Sequence, residues 1–292
     1  MRQATRVPVA RTSDGVDIVW YDLGGPPSGR PLLLAHATGF HGRVWLPVAQ
    51  RLAGGGFHCF AFDERGHGDS GRPADSSFEW DGFGTDVLAV VSALAAAGLA
   101  DQRPLAVGHS CGSVALLRAE ARAPGTFRAM YLWEPVIPPV DPPPGPMPDN
   151  PLVEGARRRR QVFPSRDAAY DNYSAKPPFN RLAGEALRAY VDLGFADQPD
   201  GTVTLKCRGE DEAAVYLNGS AHDTFRRLAE VACPVTLACG ADSDAFGPDA
   251  IEAMAARLPH GRTEAHPGLS HFGPLEDPAA VADRVTAAFA VA

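Results

Sequence analysis

Short hydrophobic runs rich in β-branched residues alternate along the chain with longer segments whose apolar residues recur at helical spacing. In the segment 78–98, for example, Phe83, Val87 and Leu94 share one helical face. The runs that predict strands cover residues 5–11, 16–21, 31–35, 57–62, 104–107, 127–133, 234–238 and 262–266. This alternation predicts an α/β fold, an eight-stranded, mostly parallel sheet with helices on both faces.

The first two runs differ from the others because only Ser13, Asp14 and Gly15 separate them, with no room for a helix. Parallel neighbours need a long crossover, whereas antiparallel neighbours need only a short turn. We therefore expect an antiparallel hairpin at one edge of the sheet.

The strand and helix alternation is interrupted after residue 134. Nine prolines lie within residues 135–151 and predict an extended connector, and residues 152–230 carry mainly helical patterns before strands resume at 234. We expect residues 136–231 to be an inserted helical cap, or lid, on a core formed by residues 1–135 and 232–292.

Composition restricts the class of protein further. The chain has 292 residues, of which 45% are hydrophobic, so it can bury a large core. Its net charge of −8 disfavours nucleic acid as a partner. The first 30 residues contain neither a secretory signal nor a membrane span, which predicts a cytoplasmic protein that does not bind a membrane. The expected partner is a small-molecule substrate.

The five cysteines include no CxxC pair, and we expect buried thiols rather than disulfides or a zinc site. The sequence predicts neither a metal nor a cofactor, and the oligomeric state stays open.

The segment Gly108-His-Ser-Cys-Gly112 has the G-x-S-x-G pattern between a predicted strand and a predicted helix. In that context the serine lies on a sharp turn, where the glycines permit close approach of strand and helix. The helix start also supplies free N–H groups to a developing oxyanion. Ser110 is therefore the predicted nucleophile, although a tight turn with a capping serine has the same pattern.

A serine hydroxyl needs a base to take its proton and a carboxylate to orient that base. Among nine histidines, His271 lies in a loop after the last predicted strand, at the sheet edge that carries Ser110, and is the predicted base. Asp242, Asp244 and Glu134 each follow a strand at this edge, and each is a candidate acid.

The loop after the first parallel strand is the expected source of a second oxyanion donor. The backbone N–H groups of Thr38 and Cys111 would then share the oxyanion, unless the glycine-containing loop simply turns into the next helix.

Two features of the expected cap have alternative interpretations. Its aromatic residues could line a substrate pocket or form the core of the cap itself, which the pattern favours; they are Phe163, Tyr170, Tyr173, Phe179, Tyr190 and Phe195. The run Arg157–Arg160 would wrap around a helix, so we expect solvated side chains rather than one binding face.

Four segments in order resemble the α/β-hydrolase family over almost the whole chain. They are His36-Ala-Thr-Gly39, Phe62-Asp-Glu-Arg-Gly-His-Gly-Asp-Ser70, the Ser110 elbow and Leu269-Ser-His-Phe-Gly273. The second residue of the first segment is Ala37, where the family usually has glycine. The resemblance implies that the Asp63-x-Arg-Gly-His-Gly68 stretch braces the loop beside the site.

In this family the acid usually follows the strand after the cap, and the Gly240-Ala-Asp-Ser-Asp244 segment is similar to members with a Gly-x-x-Ser-Asp pattern. The resemblance therefore favours Asp244 over Asp242 and Glu134. Relatives that are haloalkane dehalogenases or epoxide hydrolases carry aspartate at the elbow, so Ser110 points to acyl chemistry.

The predicted function is hydrolysis of an ester-type acyl bond, that of a carboxylic ester, lactone or thioester, in a small to medium apolar substrate. The alternatives are a cofactor-free carbon–carbon bond hydrolase, a perhydrolase, and a non-catalytic ligand-binding member of the fold.

Overall fold

A computed structural model describes residues 7–100 and 103–290 of the chain. Its main sheet has eight strands in the order β1-β2-β4-β3-β5-β6-β10-β11. These strands are β1 (Val9–Arg11), β2 (Asp17–Gly24), β3 (Arg30–Ala35), β4 (Phe57–Phe62), β5 (Leu105–His109), β6 (Met130–Trp133), β10 (Val235–Gly240) and β11 (Gly261–His266).

β1 and β2 form the expected antiparallel hairpin at one edge, and β2 also pairs antiparallel with β4. From β4 through β3, β5, β6 and β10 to β11, each strand pairs in parallel with the next. The α/β fold predicted from the hydrophobic pattern is therefore confirmed. The predicted start of the first strand, residues 5 and 6, lies outside the described residues.

Helices cover both faces of this sheet because adjacent residues of its strands point to opposite sides. Leu33 belongs to the apolar core on one face, while Leu32 and Leu34 belong to the core on the other. The first core includes α2 (Trp80–Ala96), α3 (Cys111–Arg122) and α9 (Pro248–Ala255), and the second includes α1 (Leu46–Gly54) and α11 (Pro278–Phe289). A short helix, α10 (Gly273–Glu276), precedes α11.

The chain between β6 and β10 contains more than the helices that the pattern predicted. Its helices are α4 (Pro151–Arg158), α5 (Arg166–Ser174), α6 (Gly184–Gly194), α7 (Gly209–Leu217) and α8 (Thr224–Arg227). Three short strands, β7 (Val162–Phe163), β8 (Phe195–Asp197) and β9 (Val203–Leu205), form a second, antiparallel sheet. Strands of two or three residues are too short to show an alternating pattern. The assignment of residues 136–231 as a cap remains our proposal.

The aromatic residues of this region pack on one another. Tyr173 makes ring contacts with Phe163, Phe179, Tyr190 and Phe195, and these five side chains are buried. They are core residues, as the sequence favoured, but this core is continuous with the one on the Leu32 and Leu34 face of the main sheet.

The arginine run does not behave as one solvated helix. α4 ends at Arg158, whose side chain is exposed, whereas Arg159 is largely buried in a salt bridge of 2.6 Å to Glu212 of α7. The expectation of solvation was wrong for Arg159, because its paired carboxylate could not be foreseen from local spacing.

All five cysteines are buried and free, which confirms the expectation drawn from their spacing. Within residues 7–100 and 103–290, no helix combines the length and apolarity needed to cross a bilayer.

Candidate active site

Ser110 lies at the junction of β5 and α3 in a strained backbone conformation. Its φ of 57° and ψ of −116° are unusual for a residue with a side chain. Close packing explains both flanking glycines: a Cβ atom at Gly108 would lie 2.7 Å from Ser113 Cα, and one at Gly112 would lie 2.6 Å from the carbonyl carbon of Ala35. The turn is therefore the strand-to-helix elbow that the motif predicted.

His271 lies in the loop between β11 and α10, where two hydrogen bonds fix it. Its main-chain carbonyl accepts a bond of 2.8 Å from Nε2 of His109, the neighbour of the elbow serine. Its Nδ1 is 2.7 Å from Oε2 of Glu134. These contacts hold the ring at the wall of a cavity that Ser110 also lines.

Glu134 is the carboxylate that contacts the His271 ring. It immediately follows β6, has a φ of 40° and is completely buried. Besides His271, it accepts hydrogen bonds of 2.9 Å from the Gly240 N–H and 2.7 Å from the Ser243 hydroxyl. Three donors therefore surround its two oxygens and offset the cost of burying the charge.

The resemblance favoured Asp244 as the partner of His271, with Asp242 as an alternative, but neither aspartate is paired with His271 among the described residues. Both aspartates are exposed in the loop after β10, and neither forms a hydrogen bond or salt bridge with His271 in the described part of the chain. β6 and β10 are adjacent and parallel, so their carboxyl ends present competing carboxylates at one edge. Glu134 has the longer side chain and reaches the ring from the inner strand.

The structure brings Ser110 and His271 to one cavity without a hydrogen bond between Oγ and Nε2. Neither atom has another hydrogen-bond partner among residues 7–100 and 103–290. Catalytic hydrogen bonds are often long without substrate and tighten in the complex, so both atoms are available for chemistry.

The loop that carries Thr38 is held by two buried, neutral histidines. His36 Nε2 accepts the Glu64 N–H at 3.0 Å, and His67 Nε2 accepts the Gly39 N–H at 3.0 Å. Burial lowers the pKa of His67 to about 4 and the pKa of His36 well below its usual value. The bracing role that the resemblance implied for the stretch containing His67 agrees with this contact.

The N–H groups of Thr38 and Cys111, the predicted oxyanion donors, have no hydrogen-bond partner in residues 7–100 and 103–290. Thr38 lines the cavity with Ser110, and Cys111 follows Ser110 at the first position of α3. Their role as donors remains a proposal.

Glu64 is a buried group that the sequence analysis did not single out. Its Oε2 accepts a 3.2 Å hydrogen bond from the Cys111 thiol, while its Oε1 is buried without a partner in the described structure. Burial raises the pKa of Glu64 to about 8. No local signal marks this residue, because its surroundings depend on tertiary packing.

The cavity has a volume of about 510 Å³ and mainly apolar walls. The proline-rich connector supplies Pro138, Pro144 and Met147, and α7 supplies Val215 and Tyr216. The five aromatic residues that pack around Tyr173 are not among the described residues that line it. The expectation that residues 136–231 contact the substrate stays a prediction; within these residues the lining of the cavity comes mostly from the connector and α7.

Comparison with known proteins places this site in a family. Residues 32–284 match the model of the alpha/beta hydrolase family. A non-heme chloroperoxidase of Streptomyces lividans is 27% identical over 274 residues, covering 88% of this chain and 94% of that protein. A monoacylglycerol lipase of Mycolicibacterium smegmatis is 34% identical over 126 residues, covering 42% and 44%.

Among solved structures, E-2-(acetamidomethylene)succinate hydrolase superposes with a TM-score of 0.77 at 20% identity, covering 97% of this chain and 98% of that chain. This likeness shows the shared fold. With the family match over most of its length, the chain belongs to the alpha/beta hydrolase family.

Proposed function

We propose that this protein is a serine hydrolase that cleaves an ester-type acyl bond, that of a carboxylic ester, lactone or thioester, in a small to medium apolar substrate. The observation that carries the proposal is the strained Ser110 elbow beside a His271–Glu134 pair, with Ser110 and His271 on one apolar cavity. A nucleophile, a base and an orienting acid are the groups that acyl transfer requires.

In the first half-reaction, Ser110 Oγ attacks the substrate carbonyl while His271 Nε2 takes its proton. The Glu134 carboxylate holds the proton on Nδ1 and stabilises the imidazolium. The backbone N–H groups of Thr38 and Cys111 bind the oxyanion, and His271 then protonates the leaving group. Water activated by His271 releases the acid and regenerates Ser110.

Perhydrolysis is a second candidate, favoured by the similarity to a chloroperoxidase over most of the chain. Hydrogen peroxide would then replace water in the second half-reaction and release a peracid. The two candidates differ in whether product formation depends on peroxide.

The test is labelling with a fluorophosphonate, followed by a panel of esters, lactones and thioesters of increasing chain length. We expect one label on Ser110 and a loss of turnover of about 10⁶-fold in Ser110→Ala, the size found when a triad nucleophile is removed. Ser174→Ala, at an exposed serine of α5, is the control and should retain activity. Unchanged hydrolysis in Ser110→Ala would refute the proposal, and absence of labelling would favour a ligand-binding role.

A further inference from the structure

The lining of the cavity carries a negatively charged side chain. Among the described residues that line it, Asp244 is the one carboxylate and there is no lysine or arginine. An apolar cavity without a cationic side chain has nothing to pair with a substrate carboxylate, and burying an unpaired charge is costly. The cavity therefore discriminates against anionic substrates.

Asp244 is available to a ligand. The orienting contact to His271 is made by Glu134, and none of the salt bridges between described residues involves Asp244. Its loop is nevertheless anchored, because the Asp242 N–H donates to the Leu269 carbonyl at 3.2 Å and the Ala245 N–H donates to the Ser243 hydroxyl at 3.2 Å. The backbone on both sides of Asp244 is therefore held at the cavity, and its exposed carboxylate can turn toward a positive charge there.

Aromatic rings also contribute to the lining of this cavity. Trp80, Phe246 and Phe272 line the cavity with Asp244. The faces of aromatic rings attract ammonium groups through the ring quadrupole, most strongly when the cation is partly desolvated. Aromatic faces and one carboxylate together form the chemistry that recognises an alkylammonium group.

We propose that Asp244 is a specificity-determining residue that makes the cavity prefer acyl substrates bearing an ammonium group over neutral ones and disfavour those bearing a carboxylate. This inference rests on the proposed function for the reaction itself, whereas the charge preference is a property of binding. At a separation of about 5 Å and an effective dielectric constant of about 40 to 80, Coulomb's law gives a preference of roughly 4- to 15-fold. Added salt should reduce it, because Asp244 is exposed.

The test compares three esters of the same acid that differ in one group of the alcohol. They are the 3,3-dimethylbutyl ester, its isosteric choline ester, and the 3-carboxy-3-methylbutyl ester. We expect kcat/KM of the wild type to be highest for the choline ester and lowest for the carboxylate. In Asp244→Asn the choline-to-neutral ratio should fall by roughly 4- to 15-fold, the share that the carboxylate contributes. Asp242→Asn, in the same loop but not lining the cavity, should keep the wild-type ratio.

The ratios of kcat/KM among the three esters can support or overturn the inference. A choline-to-neutral ratio that is the same in Asp244→Asn and the wild type would overturn it, as would a preference for the carboxylate ester. An equal loss of several orders of magnitude on all three esters would also overturn it, since Asp244 would then act through His271.

Binding is measured separately, by the protection of Ser110 against fluorophosphonate labelling. Choline should protect better than 3,3-dimethyl-1-butanol in the wild type, and this advantage should be smaller by roughly 4- to 15-fold in Asp244→Asn. Protection of this kind without turnover of any ester would refute the proposed function and leave the charge preference standing. Turnover of the neutral ester together with equal protection by both alcohols would refute the charge preference and leave the proposed function standing.

Discussion

Replacing Glu134 with glutamine separates the carboxylates that compete for His271. The buried Glu134 side chain receives hydrogen bonds from the Gly240 N–H, the Ser243 hydroxyl and His271 Nδ1. A glutamine of the same shape can keep its amide oxygen on Gly240 and turn its NH₂ group toward the other two partners. The Ser243 oxygen can accept from that group, so we expect Glu134→Gln to fold.

The effect on catalysis follows from the proton on His271. An NH₂ group at the position of Oε2 donates to Nδ1, which must then be unprotonated, so the neutral ring carries its proton on Nε2. That tautomer cannot accept the Ser110 proton, and the imidazolium loses its counter-charge. The same change of tautomer lowers turnover by about 10⁴-fold in a serine protease triad, which corresponds to about 5.5 kcal/mol of transition-state stabilisation.

The assay is kcat on a neutral ester for Glu134→Gln, Asp244→Asn and the control Asp242→Asn, with circular dichroism to confirm folding. We expect a loss of about 10⁴-fold in the first. The loss in the second should be less than about tenfold, because an exposed carboxylate that does not contact His271 supplies only a screened charge. A Glu134→Gln enzyme within tenfold of the wild type, together with an inactive Asp244→Asn enzyme, would contradict the assignment of Glu134.

Two further predictions concern stability. Burial raises the pKa of Glu64 from 4.5 to about 8, so between these values the folded state holds a proton that the unfolded state has lost. The free energy of unfolding of the wild type should therefore fall by about 3 to 5 kcal/mol from pH 4.5 to pH 8. Urea titrations at several pH values should show a smaller decline in Glu64→Gln. If the free energy of unfolding fell equally with pH in both proteins, Glu64 would be excluded as the cause. Arg159→Met leaves Glu212 buried and unpaired and should cost about 3 to 5 kcal/mol, whereas the exposed Arg158→Met should cost less than about 1 kcal/mol. Equal midpoints of denaturation for these two variants would show that the buried pair contributes nothing.

Local patterns were sufficient for the sheet and for the elbow because these features depend on spacing within the chain. Strand periodicity and the glycines around Ser110 are properties of a few consecutive residues, and the loop after the last strand placed His271 at the same edge. Local patterns were not sufficient to predict which carboxylate contacts His271, because Glu134 and Asp244 both follow strands that end at this edge. The choice depends on side-chain length and on the donors at Gly240 and Ser243, which only the folded chain brings together.

The same limit applies to contacts between distant segments. The pairing of Glu64 with Cys111 joins residues 47 positions apart, and the pairing of Arg159 with Glu212 joins residues 53 apart. Neither pair leaves a local pattern, since burial and partner are both set by tertiary packing.

The place of Glu134 in the chain has a consequence for protein engineering. This residue immediately follows β6, and the proline-rich connector begins at the next residue, Pro135. Exchanging the inserted region for that of a relative would cut the chain beside the residue that orients His271. A chimera should therefore retain the native sequence through the first connector residues, so that the left-handed backbone at Glu134 is preserved. In a protein whose acid follows the strand after the inserted region, the same exchange would not change the residues around the acid.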